Sequence, residues 1–289
     1  MQEDVYNVFI MRRIRLTITL KETLINDVDM LIDGEKIRNR SHAIEYVLLQ
    51  SFKPSVNKAV ILAGGKGENL RPYTYELPKS MLLIKGRPIL EYLIHDVRDA
   101  GIREIVICIG HRGEKIKEYF GDGAIFGVKI TYSEEKIPLG TGGAIQAILP
   151  FIKDQSFVLL YGDIIVDLNL KDVIQFHKDQ ETVATVALTP TDNPSPYGQL
   201  ELHGQSIVGF HERTKKGKSK SNLVNTGVYI LNKEISHYFP LSKKVFMFES
   251  VLQKVIHKKQ LAGFVFEGQW FDIGSVVNYE RAIKYFKKK

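Results

Sequence analysis

Cysteine is almost absent from this chain. Cys108 is the single one in 289 residues, which excludes an intrachain disulfide framework and a cysteine-rich metal site. Its surroundings, Glu104-Ile105-Val106-Ile107-Cys108-Ile109, read as a buried strand, so the thiol is expected to be a small core group. No apolar run approaches the roughly 18 residues of a membrane span. The acidic start Met1-Gln2-Glu3-Asp4 lacks the basic opening and long apolar stretch of a signal peptide. A cytoplasmic protein is expected. Repeats and low-complexity stretches are lacking too. Apolar residues are plentiful, at 44%, enough for a full core, and the length fits one large domain or two unequal ones.

The net charge of +7 is unevenly placed. Residues 1–56 hold eight Lys/Arg and eight Asp/Glu, so the whole excess lies beyond them. Much of it sits in Lys215-Lys216-Gly217-Lys218-Ser219-Lys220 and Lys287-Lys288-Lys289, runs that are usually solvated loops and tails. Pro54, in Ser51-Phe52-Lys53-Pro54-Ser55-Val56, should stop a preceding helix and marks a boundary. We divide the chain there into residues 1–53 and 57–289.

In the first part, Ile14, Leu16, Ile18 and Leu20 alternate with Arg13, Arg15, Thr17 and Thr19, the period of a strand with one buried face. Leu24, Val28, Leu31 and Ile32 recur at helical spacing, and Gly34 can end that helix. Ser41 offers an N-cap for a second helix through Ala43, Ile44, Val47 and Leu48. One strand and two short helices bury too little alone, so a homodimer is expected. The pattern Arg15-Leu16-Thr17-Ile18-Thr19-Leu20, with Arg40-Ser41-His42-Ala43-Ile44 opening the second helix, resembles the ribbon-helix-helix family. That resemblance implies an antiparallel two-chain ribbon whose outward residues, here Arg13, Arg15, Thr17 and Thr19, enter a DNA groove. It also implies a phosphate clamp at the helix start near Ser41. The neutral charge of this segment leaves a dimerisation module without DNA open as the alternative.

Beyond Pro54, apolar strands alternate with helices. Strands are expected at Lys58–Ala63, Glu104–Gly110, Phe157–Tyr161 and Thr182–Leu188, and helices at Pro88–Ala100, Gly142–Leu149 and Leu170–Asp179. Such an order predicts an α/β fold with a doubly wound, mainly parallel sheet. Ligands then lie at the carboxyl ends of the strands.

The first of these strands runs into Leu62-Ala63-Gly64-Gly65-Lys66-Gly67-Glu68-Asn69-Leu70-Arg71-Pro72. Glycines here let backbone N–H groups approach phosphates. A Walker loop needs Gly-Lys-Ser/Thr, and Gly67 follows the lysine. A dinucleotide fingerprint needs a third glycine where Leu70 stands. Neither fits.

The longer series does find a match. Leu62 to Gly67, Leu70-Arg71-Pro72, Leu77-Pro78-Lys79-Ser80-Met81-Leu82, Gly86-Arg87-Pro88-Ile89-Leu90, Pro138-Leu139-Gly140-Thr141-Gly142-Gly143-Ala144, Gly162-Asp163, Asn225-Thr226-Gly227 and Trp270-Phe271-Asp272-Ile273-Gly274 stand in order. Together they resemble the sugar-nucleotide pyrophosphorylases, that is, the sugar-1-phosphate nucleotidyltransferases, with a Rossmann-like fold. The resemblance implies transfer of a nucleotidyl group from an NTP to a sugar 1-phosphate. It implies that Leu62, Ala63, Gly64, Gly65, Lys66, Gly67, Gly140, Thr141 and Gly142 meet the nucleotide, and that Lys79 contacts phosphate; Arg71, with Lys66, is expected to compensate in part for a loop arginine that relatives carry. Asp163 and Asp272 would hold Mg2+, and Gly198, Glu212, Arg213, Asn225 and Thr226 would meet the sugar phosphate. The Pro-Leu-Gly-Thr-Gly-Gly-Ala string is most similar to guanylyltransferases for mannose- or heptose-type phosphates, hence a lean to GTP.

Three departures stand out. Relatives usually carry Thr-Arg where this chain has Glu68-Asn69, so an arginine facing the triphosphate is missing. Arg213-Thr214 replaces a frequent Lys-Pro. Lys289 is the last residue of the sequence, so the C-terminal β-helix domain of some relatives is not expected. The first departure leaves a second reading open: a DNA-binding regulator whose transferase-like domain senses a nucleotide or nucleotide sugar.

Overall fold

A computed structural model of the chain describes residues 15–51, 56–152, 156–212, 220–242 and 244–288. The fold divides into two units, Met1–Lys53 and Pro54–Lys289. In the small unit, α1 (Glu22–Met30) and α2 (Arg40–Ser51) pack through Val28 and Ala43. Arg40 grips the Asp29 carboxylate with two nitrogens, at 2.6 and 2.7 Å. The turn between the helices is tied by Asp33, whose Oδ1 accepts from the backbone N–H groups of Glu35, Lys36 and Ile37. Gly34 serves that turn at φ 78°, after the helix has ended at Met30.

Two expectations change here. Ser41 is not the N-cap of α2. Asn39 is, its Oδ1 accepting from His42 N–H at 2.9 Å, because the helix begins one residue before Ser41. Residues 15–20 make no ladder with any described residue, since a strand needs a neighbour and a single chain offers none there. Leu16 and Ile18 are accordingly 76% and 46% exposed. Arg15, Thr17 and Thr19 lie in this unpaired segment, and Arg13 lies outside the described residues.

The large unit begins with β1 (Lys58–Ala63). A hairpin of β2 (Leu83–Ile84) and β3 (Arg87–Pro88) follows, turned by Lys85 and Gly86, both at positive φ, before α3 (Ile89–Asp99). Then come β4 (Glu104–Ile109), α4 (Gly113–Phe120), β5 (Lys129–Glu134), α5 (Gly140–Ile148) and β6 (Ser156–Tyr161). The remainder is β7 (Ile164–Val166), α6 (Leu170–Asp179), β8 (Ala184–Pro190), β9 (Gln199–His203), β10 (Ser206–His211), β11 (Leu223–Asn232), α7 (Phe248–His257), β12 (Leu261–Val265), β13 (Trp270–Asp272) and α8 (Val276–Lys288).

The main sheet runs β5-β4-β1-β6-β11-β8-β12-β10-β9. Its first four strands are parallel, as expected. The other half departs from a mainly parallel sheet. There β11 runs against both β6 and β8, and β9 and β10 form an antiparallel pair, while β12 is parallel to β8. Both faces are covered, which explains the unbroken apolar strands. Ala59, Ile61 and Ala63 face a layer with Leu93, Val97, Ile116 and Phe120. Val60 faces the opposite layer with Ile145, Ile148 and Leu252. Cys108 is buried on that second side, its thiol pushed up to about 12 by burial.

One half-buried acid marks a weak point. Burial, with Asp99 and Asp167 nearby, pushes the Asp96 carboxyl on α3 up to about 7. The folded chain thus holds this proton to about pH 7, the unfolded chain only to about 3.8. Stability from the protonated group is complete below the lower value and is lost as pH rises through the upper one. We predict that Asp96→Asn raises the thermal midpoint at pH 8 by about 2–4 °C for each kcal/mol regained and changes it little at pH 4. Melts at both values check this, and equal shifts would contradict it.

Candidate active site

The site forms where the parallel strands end. β1 runs out at Ala63 into Gly64 and Gly65. β6 runs out at Tyr161 into Gly162 and Asp163. Gly162 allows this meeting, because its N–H bonds to the Leu62 carbonyl at 2.9 Å and a Cβ there would lie 2.7 Å from that oxygen. Asp163 is therefore delivered beside the glycine loop. Lys79, on a single 3-10 turn after Pro78, places its ammonium on the Asp163 carboxylate. Both side chains are only 22% exposed, so each charge needs the other.

Asp272 reaches the same place from the far end of the chain. It sits on β13 opposite Ile164 of β7, and Ile273 N–H donates to the Asp163 carbonyl at 2.8 Å. It does not cap the following helix. Ser275 does, accepting from Asn278 N–H.

Two cavities share this centre. One, of about 330 Å3, is lined by Leu62, Ala63, Gly64, Gly65, Lys79, Glu135, Pro138, Gly140 and Thr141. The other, of about 400 Å3, is lined by Tyr197, Gly198, Phe210, Glu212, Asn225, Thr226, Trp270 and Asp272. Tyr161, Asp163, Met247 and Glu249 line both. The candidate residues for the nucleotide and for the sugar phosphate thus sort onto two cavities that meet at Asp163.

Several expected residues lie elsewhere or are already engaged. Lys66, Gly67 and Arg71 line neither cavity. Arg71 is exposed, paired with Glu68 at 3.6 Å and set over the Tyr75 ring. It therefore does not take the place of the arginine missing at Asn69, which is itself exposed. Gly142 lines neither cavity. It is a packing glycine, since its N–H and that of Gly143 donate to the Phe246 carbonyl, and a Cβ would meet the Phe246 ring at 2.4 Å. The Thr226 hydroxyl donates to the Ala187 carbonyl, so that residue can face the cavity only with its other atoms. Arg213 lies outside the described residues.

Two other cavity residues, Tyr197 and Glu249, gave no signal in the sequence. The Thr141 hydroxyl accepts from Phe248 N–H at 2.9 Å and lies 3.4 Å from Glu249 on α7. The other Glu249 oxygen is 3.4 Å from the Tyr161 hydroxyl. Burial, with Tyr229 and Glu249 close by, holds the Tyr161 phenol well above its ordinary range. Asn225 donates to the Tyr229 hydroxyl, and its Oδ1 accepts from Gly227 N–H. Trp270 donates its indole N–H to the Thr226 carbonyl and meets Tyr197 edge-on, with centroids 4.8 Å apart. The side walls are thus held by hydrogen bonds before any ligand arrives. No group of three or more His, Cys, Asp or Glu among the described residues makes a complete metal cage.

The model of the nucleotidyl transferase family matches residues 58–289. D-glycero-alpha-D-manno-heptose 1-phosphate guanylyltransferase of Campylobacter jejuni is 36% identical over 223 residues, 77% of this chain and 96% of that protein. UTP--glucose-1-phosphate uridylyltransferase of Synechocystis is 32% identical over 246 residues, 78% of this chain and 62% of that longer protein. Among solved structures, HddC from Yersinia pseudotuberculosis complexed with GMP-PN is 27% identical with a TM-score of 0.67, covering 80% of this chain and 100% of that one. No described helix is long and apolar enough to cross a membrane.

The junction of α5 with the loop before α7 yields a prediction. Gly142→Ala should destabilise the chain by about 1–3 kcal/mol through overpacking against Phe246. Denaturant titration of the two proteins measures it, and an unchanged midpoint would count against this packing role.

Proposed function

This chain belongs to the nucleotidyl transferase family, and on that premise we propose that it joins a nucleoside triphosphate to a sugar 1-phosphate. The sugar is of mannose or heptose type and the nucleotide is GTP. An oxygen of the sugar phosphate attacks the α-phosphorus. The bond from that phosphorus to the bridging oxygen breaks, and pyrophosphate leaves. No protein nucleophile is needed, so the protein's part is to hold two anions in line and neutralise charge. The observation that carries this reading is the pair of cavities meeting at Asp163.

In this reading the triphosphate lies along Gly64 and Gly65, whose lack of side chains leaves the backbone N–H groups accessible. Lys79 contacts its phosphates. The sugar phosphate occupies the cavity of Gly198, Glu212, Asn225 and Trp270, with Arg213 joining it. Asp163 and Asp272 fit Mg2+, because Asp163 just before β7 and Asp272 on its partner β13 line one wall and the phosphates can complete the set. Bound there, the metal would neutralise charge on the phosphates.

A panel of nucleoside triphosphates and sugar 1-phosphates, read by pyrophosphate release, tests the proposal. Turnover is expected with GTP and a mannose- or heptose-type phosphate. Asp163→Asn and Asp272→Asn should each lower kcat by about 100-fold or more. Absence of turnover with every pair would sink the enzymatic reading.

A second reading concerns the small unit. The unpaired segment with Leu16 and Ile18 exposed supports pairing with a second copy into a ribbon, making residues 1–53 a ribbon-helix-helix module. The ribbon would present Arg13, Arg15, Thr17 and Thr19 to DNA, so that the whole chain acts as a regulator that senses a nucleotide or nucleotide sugar. Sedimentation should give a dimer that Leu16→Lys weakens. DNA retardation should be lost in the Arg15→Ala, Thr17→Ala double variant, and retention would argue against ribbon readout.

A further inference from the structure

A further cavity, of about 540 Å3, adjoins the sugar-phosphate cavity. Tyr197, Trp270 and Asp272 line both, so these three residues form a common wall. The other sides come from the end of β8 and the loop after it, from residues just before β11 and β13, and from the start of α8. One amide holds the common wall. Asn278 on α8 donates through Nδ2 to the Tyr197 hydroxyl at 3.2 Å and to the Asp272 carbonyl at 2.9 Å. No described residue donates to its Oδ1, which is left for a ligand. A polar gap filled with solvent would not need a wall shared with the active site and fixed by a single side chain.

The lining selects the chemistry of the occupant. It does not suit phosphate. Asp192 and Asp272 stand against one cation, Arg281, whose guanidinium lies over the Phe271 ring at 5.9 Å from its centroid. The one lining glycine, Gly268, serves packing, since a Cβ there would lie 2.4 Å from the Asp167 carbonyl. An apolar ligand is excluded too, because it would strip water from the carboxamides of Asn193, Asn222, Gln269 and Asn278. A carboxamide both donates and accepts, which is what a sugar hydroxyl asks of its partner. The Asn193, Asn222 and Gln269 side chains make no hydrogen bond with any described residue, so all three are available. Tyr197, Trp270 and Phe271 add aromatic surface for the C–H faces of a ring.

We propose that this cavity is a second sugar site, taking a neutral polyhydroxylated ring, and that Asn278 carries its occupancy to the wall of the sugar-phosphate cavity. A ligand hydroxyl donating to Asn278 Oδ1 pins the amide, and the pinned amide holds Tyr197 and Asp272 in place. A wall already ordered costs less to use, so the second ligand binds more tightly. The identity of the neighbouring ligand rests on the nucleotidyl-transfer reading, while the cavity and its lining do not.

The experiment follows the fluorescence of Trp270, the one tryptophan of the chain, in the full protein titrated with D-mannose or with inorganic phosphate. Mannose should give a saturable change that persists when mannose 1-phosphate is saturating. The exposed pair Asn222→Ala, Gln269→Ala should lower mannose affinity by about 10-fold, the worth of two hydrogen bonds, and spare turnover. Calorimetry then measures mannose 1-phosphate binding with and without saturating mannose. Binding should tighten by about 5-fold or more, and Asn278→Ala should bring that ratio to one. The ratio in the unaltered protein is informative even where Asn278→Ala fails to fold. Mannose that weakens mannose 1-phosphate binding would overturn the proposal, because it would then sit in the sugar-phosphate cavity. So would saturation by phosphate alone, no signal from mannose, or an affinity unchanged in the double variant. Mannose 1-phosphate that neither binds nor turns over, beside a mannose signal lost in the double variant, would sink only the transferase reading.

Discussion

The pairing of Lys79 with Asp163 is the contact around which this fold is arranged. A carboxylate at the end of a buried strand is costly without a partner. Here the partner comes from a short turn far away in sequence. Each side chain has little access to water, so neither charge is tolerable alone. The pair sits where the two cavities meet. On the proposed function, Asp163 would help hold a cation there and Lys79 would meet a phosphate. A site that must hold opposite charges while empty and regroup them when filled needs rigid walls. The bonds of Trp270, Asn225, Thr141 and Thr226 supply those walls.

Close backbone approach is what makes room for this centre. Gly162 lets β6 end against β1, and Gly142 with Gly143 lets α5 begin against the loop before α7. In the second case the glycines do not face a ligand. They bring Thr141 to the N-terminus of α7, where one hydroxyl accepts from Phe248 and lies beside Glu249. The same string that resembles a nucleotide-binding segment is therefore half wall and half structural joint.

The strands β1, β4 and β6 were legible because each is buried on both faces and reads as an unbroken apolar run. Their glycine-rich ends, Lys79, Asp163 and Asp272 were legible through motifs in order along the chain. The mixed half of the sheet was not, since an apolar run such as β11 does not state the direction of its neighbours. Glu249 was hidden as well. It stands 108 and 88 positions from Thr141 and Tyr161, which it meets, and one glutamate on an amphipathic helix looks like any surface residue. The first strand failed differently. The alternation of Arg15 to Leu20 states that one face wants cover, but a period cannot supply the neighbour.

The charge around the centre argues further for a metal. Among the described residues lining the two cavities, the carboxylates are Glu135, Asp163, Glu212, Glu249 and Asp272, and Lys79 is the one lysine or arginine. The proposed substrates are a triphosphate and a sugar phosphate, both strongly anionic. Such a cavity would repel them if they arrived bare. Arg71 does not relieve this, being tied to Glu68 outside the cavities, and Asn69 adds no charge. On the proposed function, neutralisation would come with the substrates, as a divalent cation on their phosphates. The carboxylates at Asp163 and Asp272, unhelpful toward phosphate by themselves, would in that reading be the groups that receive the cation.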